Sequence, residues 1–416
     1  MRRKVHLTSL LFDFCEGNAT TNLATEWALA LRELGLEPEL HSHGDFKGSS
    51  GYEGHYRGLP CHQLSGRSSL SERIEMRFRS LASACRYAKH LWRHHRNVAF
   101  VFAFSTHSWE LLAQVLVARL RGIPVVYYLV EEPVSLHRPP VGSSFGSRLR
   151  WWRQLVCDYV FGYVVVFRLL NGIACITDEL AGYVRSWGYD RSRVLVLPNV
   201  KHSSTTQPRG TPANVAPRKA DGDFTLFYGG TIDERKEALF PLLEAITVLL
   251  PRHPRLALVL TGAGSSAHKL TQRIQENSLA GSVRFLGIVS RERFEQCIAG
   301  ADLCVVLKQD ETPNRYNFAN KLTDYMALCK PMLVSDLPLH RRLFKDKATA
   351  IFANPNDRGS ICDAIRWALQ NEDQLPEIGA RAGALLRNQL DAYYHAKRLI
   401  EWLGLSGGGN QPQGIA

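Results

Sequence analysis

The chain has 416 residues, of which 45% are apolar, 10% aromatic and 22% charged, with a formal net charge of +12. That balance excludes a disordered, collagen-like or coiled-coil protein and predicts two or three globular domains. The positive excess sits mostly in the first 200 residues, and no nucleic-acid motif accompanies it, so no nucleic-acid partner is expected.

The opening residues Met1-Arg2-Arg3-Lys4 are basic, but no apolar h-region follows, so no signal peptide is expected. Val5–Phe12 reads as a strand. Thr20–Leu34 carries Leu23, Trp27, Leu31 and Leu34 at helical spacing and stops at Gly35. Pro38–Ser42 and Val98–Phe104 read as strands, Ser108–Arg121 as a helix and Val125–Val130 as a strand. A long helix over 147–170 leads to the strand Gly172–Ile176. Thr177 caps the next helix, with Asp178 and Glu179 in its first turn, where the helix dipole favours them. Val194–Leu197 closes this half. Short apolar strands alternating with helices imply a parallel sheet covered on both faces.

Residues 201–222 lack apolar periodicity and are rich in Ser, Thr, Pro and Gly, which reads as a linker. The alternation then restarts. Strands are expected at Phe224–Tyr228, Leu256–Thr261, Val283–Leu286, Leu303–Lys308, Pro331–Ser335 and Thr349–Phe352. Helices are expected at Leu239–Leu250, Ser266–Asn277, Arg291–Ala299, Lys321–Leu328, Ser360–Gln370 and Pro376–Leu403. The reading therefore divides the chain into a first α/β domain (1–200), the linker (201–222) and a second α/β domain (223–385). A terminal helix (386–405) packing back toward the first domain and a loose tail (406–416) complete it. Ligands of such sheets sit beyond the carboxyl ends of the strands, and with two domains a cleft between them is the expected site.

Nine dispersed cysteines with no CxxC pair read as reduced core thiols in a reducing, cytoplasmic setting. Leu155–Ile176 is mostly apolar, but Asp158, Arg168 and Asn171 interrupt it well short of the roughly 20 residues a membrane span needs. It reads as a buried helix and strand, or as a helix lying against a membrane. Arg148, Arg150 and Arg153 surround Trp151 and Trp152. Residues 60–100 hold Arg67, Arg73, Arg77, Arg79, Arg86, Lys89, Arg93 and Arg96 against only Glu72 and Glu75. Such clusters suit an anionic membrane surface, and equally an ordinary solvated helix face. His94, His95 and His253 read as exposed. No helix shows a histidine pair at metal-ligand spacing, so no metal is expected.

Three strand-end segments of the second half carry chemistry. Gly229-Gly230-Thr231-Ile232-Asp233-Glu234-Arg235-Lys236 places glycines for close backbone approach, then two cations that can hold a diphosphate. It matches neither GxGxxG nor a P-loop. Leu260-Thr261-Gly262-Ala263-Gly264-Ser265 is a second glycine-rich strand end. The third segment, Asn317 to Pro331, opens a helix with Asn320 and Lys321 and sets Asp324 three residues later. A carboxylate there can bind a ribose diol and a lysine can neutralise phosphate, although an exposed ion pair between the two has the same spacing.

Together the three segments resemble the C-terminal half of retaining glycosyltransferases of the GT-B fold, family 4 (glycosyl transferases group 1). The family's Pro-(Asn/Ser)-Lys-Leu-(Phe)-Glu-Tyr-Met-Ala-x-Gly-Lys-Pro run stands here as Ala319-Asn320-Lys321-Leu322-Thr323-Asp324-Tyr325-Met326-Ala327-Leu328-Cys329-Lys330-Pro331. In the first half the likeness is looser: the opening strand, Gly17, and the segments 176–180 and 196–199.

The resemblance implies an α/β protein of the GT-B fold, with two Rossmann-like domains facing a cleft. It implies transfer of a sugar from a nucleoside diphosphate sugar with retention of anomeric configuration and without a metal. Arg235 and Lys236 would bind the diphosphate and stabilise its departing charge. Asp324 would take the ribose, with Asn317, Asn320, Lys321 and the glycines 229, 230, 262 and 264 lining the donor, and Gly17 near the diphosphate. Glu131 or Glu132, after the strand Val125–Val130, would line the acceptor side or steady positive charge on the sugar. The expected acceptor is a glycan or polyprenyl-phosphate-linked precursor of a surface polysaccharide, met at the cytoplasmic membrane face. Departures are Tyr316 where the family has the first acid of its pair, Glu237 after the lysine and Cys329 before Lys330. They keep open a catalytically degenerate binding or scaffold subunit of a glycan-assembly complex. A non-hydrolysing sugar-nucleotide epimerase shares the fold and is the other enzymatic alternative.

Overall fold

A computed structural model describes residues 3–9, 11–14, 18–42, 53–63, 84–104, 108–131, 144–154, 156, 160–205 and 222–405. Gly17, Glu132, Arg67, Arg73, Arg77, Arg79, most of the 201–222 segment and the 406–416 tail lie outside the described residues. The chain forms two compact units. One holds Met1–Leu129, His137–His202 and Asp391–Ala416, the other Val130–Leu136 and Ser203–Leu390.

The first unit is built on an eight-stranded sheet. Its strands are β1 (Lys4–Ser9), β2 (Glu37–Ser42), β3 (Glu53–Tyr56), β4 (Leu59–Gln63), β5 (Val98–Phe104), β6 (Val125–Leu129), β7 (Gly172–Cys175) and β8 (Val194–Val196). They lie in the order β3-β4-β2-β1-β5-β6-β7-β8, and only β3 and β4 pair antiparallel. This hairpin was not anticipated, because residues 53–63 are too polar to show a strand period. Its turn at Arg57 and Gly58 has positive φ at both residues (52° and 75°), the conformation that fits tight hairpins. Under the sheet, Trp27 meets Phe102 and Tyr128 edge-on at 5.5 and 5.7 Å between ring centroids, and all three are buried.

Three expectations need correction. The helix expected over 147–170 is not α-helical throughout its described residues: Phe145–Gln154 is α, Gly162–Val166 winds as a wider π turn, and Phe167–Leu169 returns to α. The run Gly162-Tyr163-Val164-Val165-Val166, a glycine and three β-branched residues, holds the α form poorly. The helix expected over 376–403 is two helices, Leu375–Gln389 and Ala392–Trp402, because Asp391 caps a new helix by accepting from the Tyr394 amide at 2.8 Å. A helix over 84–94 carries His90 and His94 four residues apart, so a histidine pair does share one helix face.

The helix Ala392–Trp402 closes the first unit against the helix Ala19–Glu33. The Ala392 amide donates to the Lys201 carbonyl at 3.0 Å, and the Lys201 ammonium lies 2.9 Å from the buried carboxylate of Glu26. The Trp402 indole donates to the Ser192 carbonyl, and its ring fills the space over Gly172, where a Cβ would sit 1.8 Å from Trp402 Cη2. Among the described residues no helix is long and apolar enough to cross a membrane.

The second unit holds a six-stranded, wholly parallel sheet of β9 (Phe224–Gly229), β10 (Leu256–Thr261), β11 (Val283–Phe285), β12 (Leu303–Val306), β13 (Met332–Ser335) and β14 (Ile351–Ala353). The order is β11-β10-β9-β12-β13-β14. Strand interiors are continuous apolar runs, as a sheet covered on both faces requires. Helices Leu239–Leu249 and Arg358–Gln370 share one apolar cluster with it through Leu242, Ile246, Ile361 and Ile365.

Two substitutions test how the terminal helix is tied in. Gly172→Ala is expected to cost about 1–3 kcal/mol through overpacking against Trp402. Lys201→Met leaves the Glu26 carboxylate buried without its cation and is expected to cost about 3–5 kcal/mol. Urea unfolding measures both, and losses below about 0.5 kcal/mol, the level of ordinary surface changes, would show the helix to be loosely attached.

Candidate donor site

In the second sheet the chain runs from β9 toward β10 on one side and from β12 toward β13 on the other. The carboxyl ends of β9 and β12 are therefore the topological switch point, where doubly wound sheets leave a crevice for ligands. Most of the site residues expected from the sequence converge here.

The two glycine loops lock onto each other. The Gly230 amide donates to the Thr261 carbonyl at 3.0 Å, and the Ile232 amide to that of Ala263 at 2.9 Å. A Cβ on Gly262 would stand 1.8 Å from the Gly230 carbonyl oxygen, and one on Gly264 would stand 2.2 Å from that of Ile232. Gly230 and Gly262 also have φ of 144° and 128°, open to glycine alone. A Cβ on Gly229 would meet Phe294 at 2.2 Å, and the Gly229 amide donates to the Tyr325 hydroxyl oxygen at 3.0 Å. At 262 and 264 the absence of a side chain thus serves contact between loops.

Beyond Gly230 the chain makes a tight turn held by Asp233. Its carboxylate accepts from the Arg235 amide at 2.9 Å and from Ser265 Oγ at 3.0 Å. Burial works against that charge, but these hydrogen bonds prevail and hold the carboxyl below its ordinary value. The turn leaves the Arg235 side chain 71% exposed. Lys236 Nζ lies 3.3 Å from Glu131 Oε1, which also accepts from Asn317 Nδ2 at 2.7 Å. Three residues expected to be functional thus meet at one carboxylate.

The next residue, Glu237, was read only as a departure from a glycine. It is 4% exposed and lies at the centre of the site. Its Oε2 is 3.0 Å from Lys321 Nζ and its Oε1 is 3.8 Å from Lys308 Nζ. Lys321 also lies over the Tyr228 ring at 3.9 Å, and Lys308 reaches Asn314 Oδ1 at 3.4 Å. Two buried ammonium groups share one carboxylate, so the cluster keeps a net positive charge at the switch point. Burial lowers the Lys321 pKa to about 8, with Glu237 opposing the shift and Lys308 adding to it. Such a site suits an anion that brings its own negative charge.

Lys321 and Asp324 do not pair with each other. Asp324 receives a two-pronged bond from Arg291, at 2.7 and 3.1 Å, and Arg291 also bonds Glu295 at 2.7 Å. Arg291 stays fully charged beside these two carboxylates, which raise its pKa against the pull of burial. Asn320 opens the helix Asn320–Ala327, whose cap residue Ala319 supplies no side-chain acceptor. Lys308, Arg291 and Asn314 escaped the sequence reading. Nothing local marks them, because the partners that draw them into the site, Asp324, Glu237 and the Lys236 carbonyl, lie 33 to 78 residues away.

A glycine-locked strand-end loop beside a buried cationic cluster, on a two-unit doubly wound framework, defines a protein of the GT-B fold with an anion-suited site. Residues 213–384, less than half of the chain, match the family Glycosyl transferases group 1. Over 162 residues it is 27% identical to phosphatidyl-myo-inositol mannosyltransferase of Mycobacterium leprae, covering 38% of this chain and 41% of that protein. Over 220 residues it is 26% identical to D-inositol 3-phosphate glycosyltransferase of Nocardia farcinica, covering 51% and 48%. The matched region therefore spans less than half the length of these curated relatives. Sucrose-phosphate synthase from Thermosynechococcus elongatus superposes with a TM-score of 0.71 at 15% identity, over 96% of this chain and 98% of that one. Anabaena HepE, solved in complex with UDP-glucose, superposes with a TM-score of 0.68 at 13% identity, over 96% and 99%. At these identities the likeness is one of fold.

The shared carboxylate predicts unequal costs. Glu237→Gln leaves two buried ammonium groups with no counter-charge and is expected to lose about 3–5 kcal/mol at pH 7. Lys321→Met removes a cation that burial already disfavours and leaves Glu237 with Lys308, so a loss below about 1.5 kcal/mol is expected. Equal losses in chemical denaturation would contradict the sharing.

Proposed function

We propose that the protein transfers a sugar from a nucleoside diphosphate sugar to a glycan or lipid-linked acceptor, with retention at the anomeric carbon. The observation that carries this reading is the excess of cationic groups at the β9/β12 strand ends: Lys308 and Lys321 on one buried carboxylate, with Lys236 and Arg235 on the adjoining loop.

The chemistry requires a diphosphate to leave with the electron pair of the anomeric C–O bond. Lys236 and Arg235 stabilise the charge that develops on it, and fixed dipoles and cations in a site of low dielectric do this without reorganising. The acceptor hydroxyl approaches the same face and forms the new C–O bond. Its proton passes to the departing diphosphate oxygen, so no separate base is needed. Glu131, beside Lys236 and Asn317, is suited to steady the positive charge that grows on the sugar ring. The carboxylate of Asp324, oriented by Arg291, is suited to a ribose diol, the one neutral partner on a nucleoside with two adjacent hydroxyls. None of these steps uses a metal.

One observation favours a second reading, a subunit that binds nucleotide sugar without turnover. Tyr316 stands where an acid would contact the donor sugar, and Arg291 already takes both oxygens of Asp324. Binding and turnover therefore need separate measurement.

Apolar residues at one helical face support a membrane-bound acceptor. Phe145, Leu149 and Trp152 are spaced four and three apart and are 83%, 62% and 58% exposed, with Arg148 exposed beside them. Phe145→Ser with Trp152→Ser is expected to abolish co-sedimentation with anionic phospholipid vesicles and to leave nucleotide binding unchanged. Undiminished sedimentation of the double variant would exclude this helix as the contact.

The donor is tested by thermal shift with UDP, GDP, ADP and dTDP and their common sugars. One nucleotide at 100 times its dissociation constant is expected to stabilise the wild type by about 2.7 kcal/mol. Lys236→Ala and Lys321→Met are each expected to weaken it at least tenfold. The affinity is expected to fall as pH rises through about 8, where Lys321 loses its proton and with it the charge that attracts phosphate. If no nucleotide shifts the wild type, the donor reading fails. If one binds but mass spectrometry finds no glycosylated product with any lipid-linked acceptor, the second reading stands.

A further inference from the structure

The first unit contains a histidine cluster that the donor chemistry does not use. In parallel strands the residues facing each other in register share a side of the sheet. His6 of β1 is in register with Glu39 of β2, and His41 of β2 is in register with His62 of β4. Glu39 and His41 are two apart on one strand. All four side chains therefore project from the same face. The helix over 84–94 presents Tyr87 and His90, three residues apart, toward them: Tyr87 and His90 lie 5.2 and 5.6 Å from the His41 ring, and His90 lies 5.8 Å from that of His6. His6, His41 and Tyr87 are buried, and His62 is 24% exposed, which leaves an approach from solvent.

The donor atoms converge on one oxygen. Glu39 Oε2 lies 3.5 Å from His6 Nε2, 3.6 Å from His41 Nε2 and 4.0 Å from His62 Nε2. These separations are long for hydrogen bonds. The first two are close to the edges of a tetrahedron with bonds of 2.0–2.1 Å, which measure about 3.3–3.4 Å, and the third is longer, so His62 would close in on the ion. One donor atom each from Glu39, His41 and His62 lie within 4.8 Å of one another, and the same holds for His6, Glu39 and His90.

Outer contacts orient the donors as a metal centre requires. Tyr87 Oη lies 3.1 Å from His6 Nδ1, on the side of the ring away from Glu39. Lys4 holds the other oxygen of Glu39 at 2.6 Å and leaves Oε2 directed at the imidazoles. Glu39 is thus balanced by Lys4 without any charge on the rings.

We propose that Glu39, His41 and His62 bind a divalent transition-metal ion, zinc foremost, with His6 and His90 as neighbouring ligands. Two or more imidazoles with a single carboxylate select zinc-like ions over magnesium or calcium, which prefer all-oxygen sites. The ion joins β2 and β4 directly, and through the neighbouring ligands β1 and the helix over 84–94. Its role is structural and independent of sugar transfer.

The test uses untagged full-length protein, stripped with chelator and dialysed, titrated with Zn(II) alone and then with Co(II) alone. One equivalent of Zn(II) is expected to bind with a dissociation constant at or below about 1 μM and to raise the unfolding midpoint. Co(II) is expected to give visible absorption of a low-symmetry, four- or five-coordinate site. Glu39→Gln and His62→Asn are each expected to weaken Zn(II) at least tenfold. His95→Gln, in the short 3-10 turn that follows this helix, is expected to change nothing. His62 is the most exposed ligand of the triad, so His62→Asn preserves the fold if Glu39→Gln does not, and circular dichroism of the metal-free variants checks this. Wild-type binding weaker than about 100 μM, or binding that His62→Asn leaves intact, overturns the proposal.

Discussion

The second unit turns on one carboxylate. Glu237 is buried where β9 and β12 end, and it brings Lys321 from the helix Asn320–Ala327 and Lys308 from the end of β12 to the same point. Without it two ammonium groups would face each other in a medium of low dielectric, and the site could not close. With it, one positive charge remains uncompensated. Neutralising both lysines would remove the attraction for an anion, and neutralising neither would be unaffordable in free energy. The backbone around Glu237 follows from this. The Ala238 amide bonds the Leu307 carbonyl at 2.7 Å, and Asn314 bonds the Lys236 carbonyl at 2.9 Å, so the loop after β9 is stitched to the loop after β12.

Fixed and adjustable charges divide the work. Lys308 and Lys321 are held by burial and by Glu237, whereas Arg235 is largely exposed and Lys236 is partly so. A buried cation is preorganised, and its contribution to binding costs no ordering of a long side chain. An exposed one can follow a ligand whose charge distribution changes as a bond breaks. The glycine contacts between the loops after β9 and β10 serve the same end. Gly262 and Gly264 bring the two loops to backbone contact, which fixes the direction of the turn at Asp233 and hence where Arg235 and Lys236 emerge.

Much of this was legible in the sequence. Short apolar runs mark β5 to β7 of the first sheet and β9, β10, β12 and β13 of the second, since a strand covered on both faces has no polar side to blur it. The hairpin β3–β4 was hidden because its residues 53–63 include three glycines or prolines and several polar groups. In the candidate site, Lys236, Lys321 and Asp324 were found through motif spacing, but their partners were not. Spacing within a helix suggested a Lys321–Asp324 pair, whereas the tertiary partners are Glu237 and Arg291, from other loops. Local spacing names residues that lie near one another. It does not rank the charges that the fold brings from elsewhere, and Glu237 stood out only as a mismatch.

The same limit concealed the histidines. His6, His41, His62 and His90 are spread over 85 positions with no motif among them, and they meet only because β1, β2 and β4 are adjacent in the sheet. Register does what spacing cannot: it turns three isolated residues on separate strands into neighbours on one face. Each unit thus places one buried carboxylate among several nitrogen groups, with opposite electrostatic results. Around Glu237 the nitrogens are ammonium groups, which carry charge and have no lone pair to offer, so the surplus invites an anion. Around Glu39 they are imidazoles, neutral when buried and still holding a lone pair, so the surplus invites a cation. The identity of the nitrogen base, more than the number of groups, decides what each site can hold.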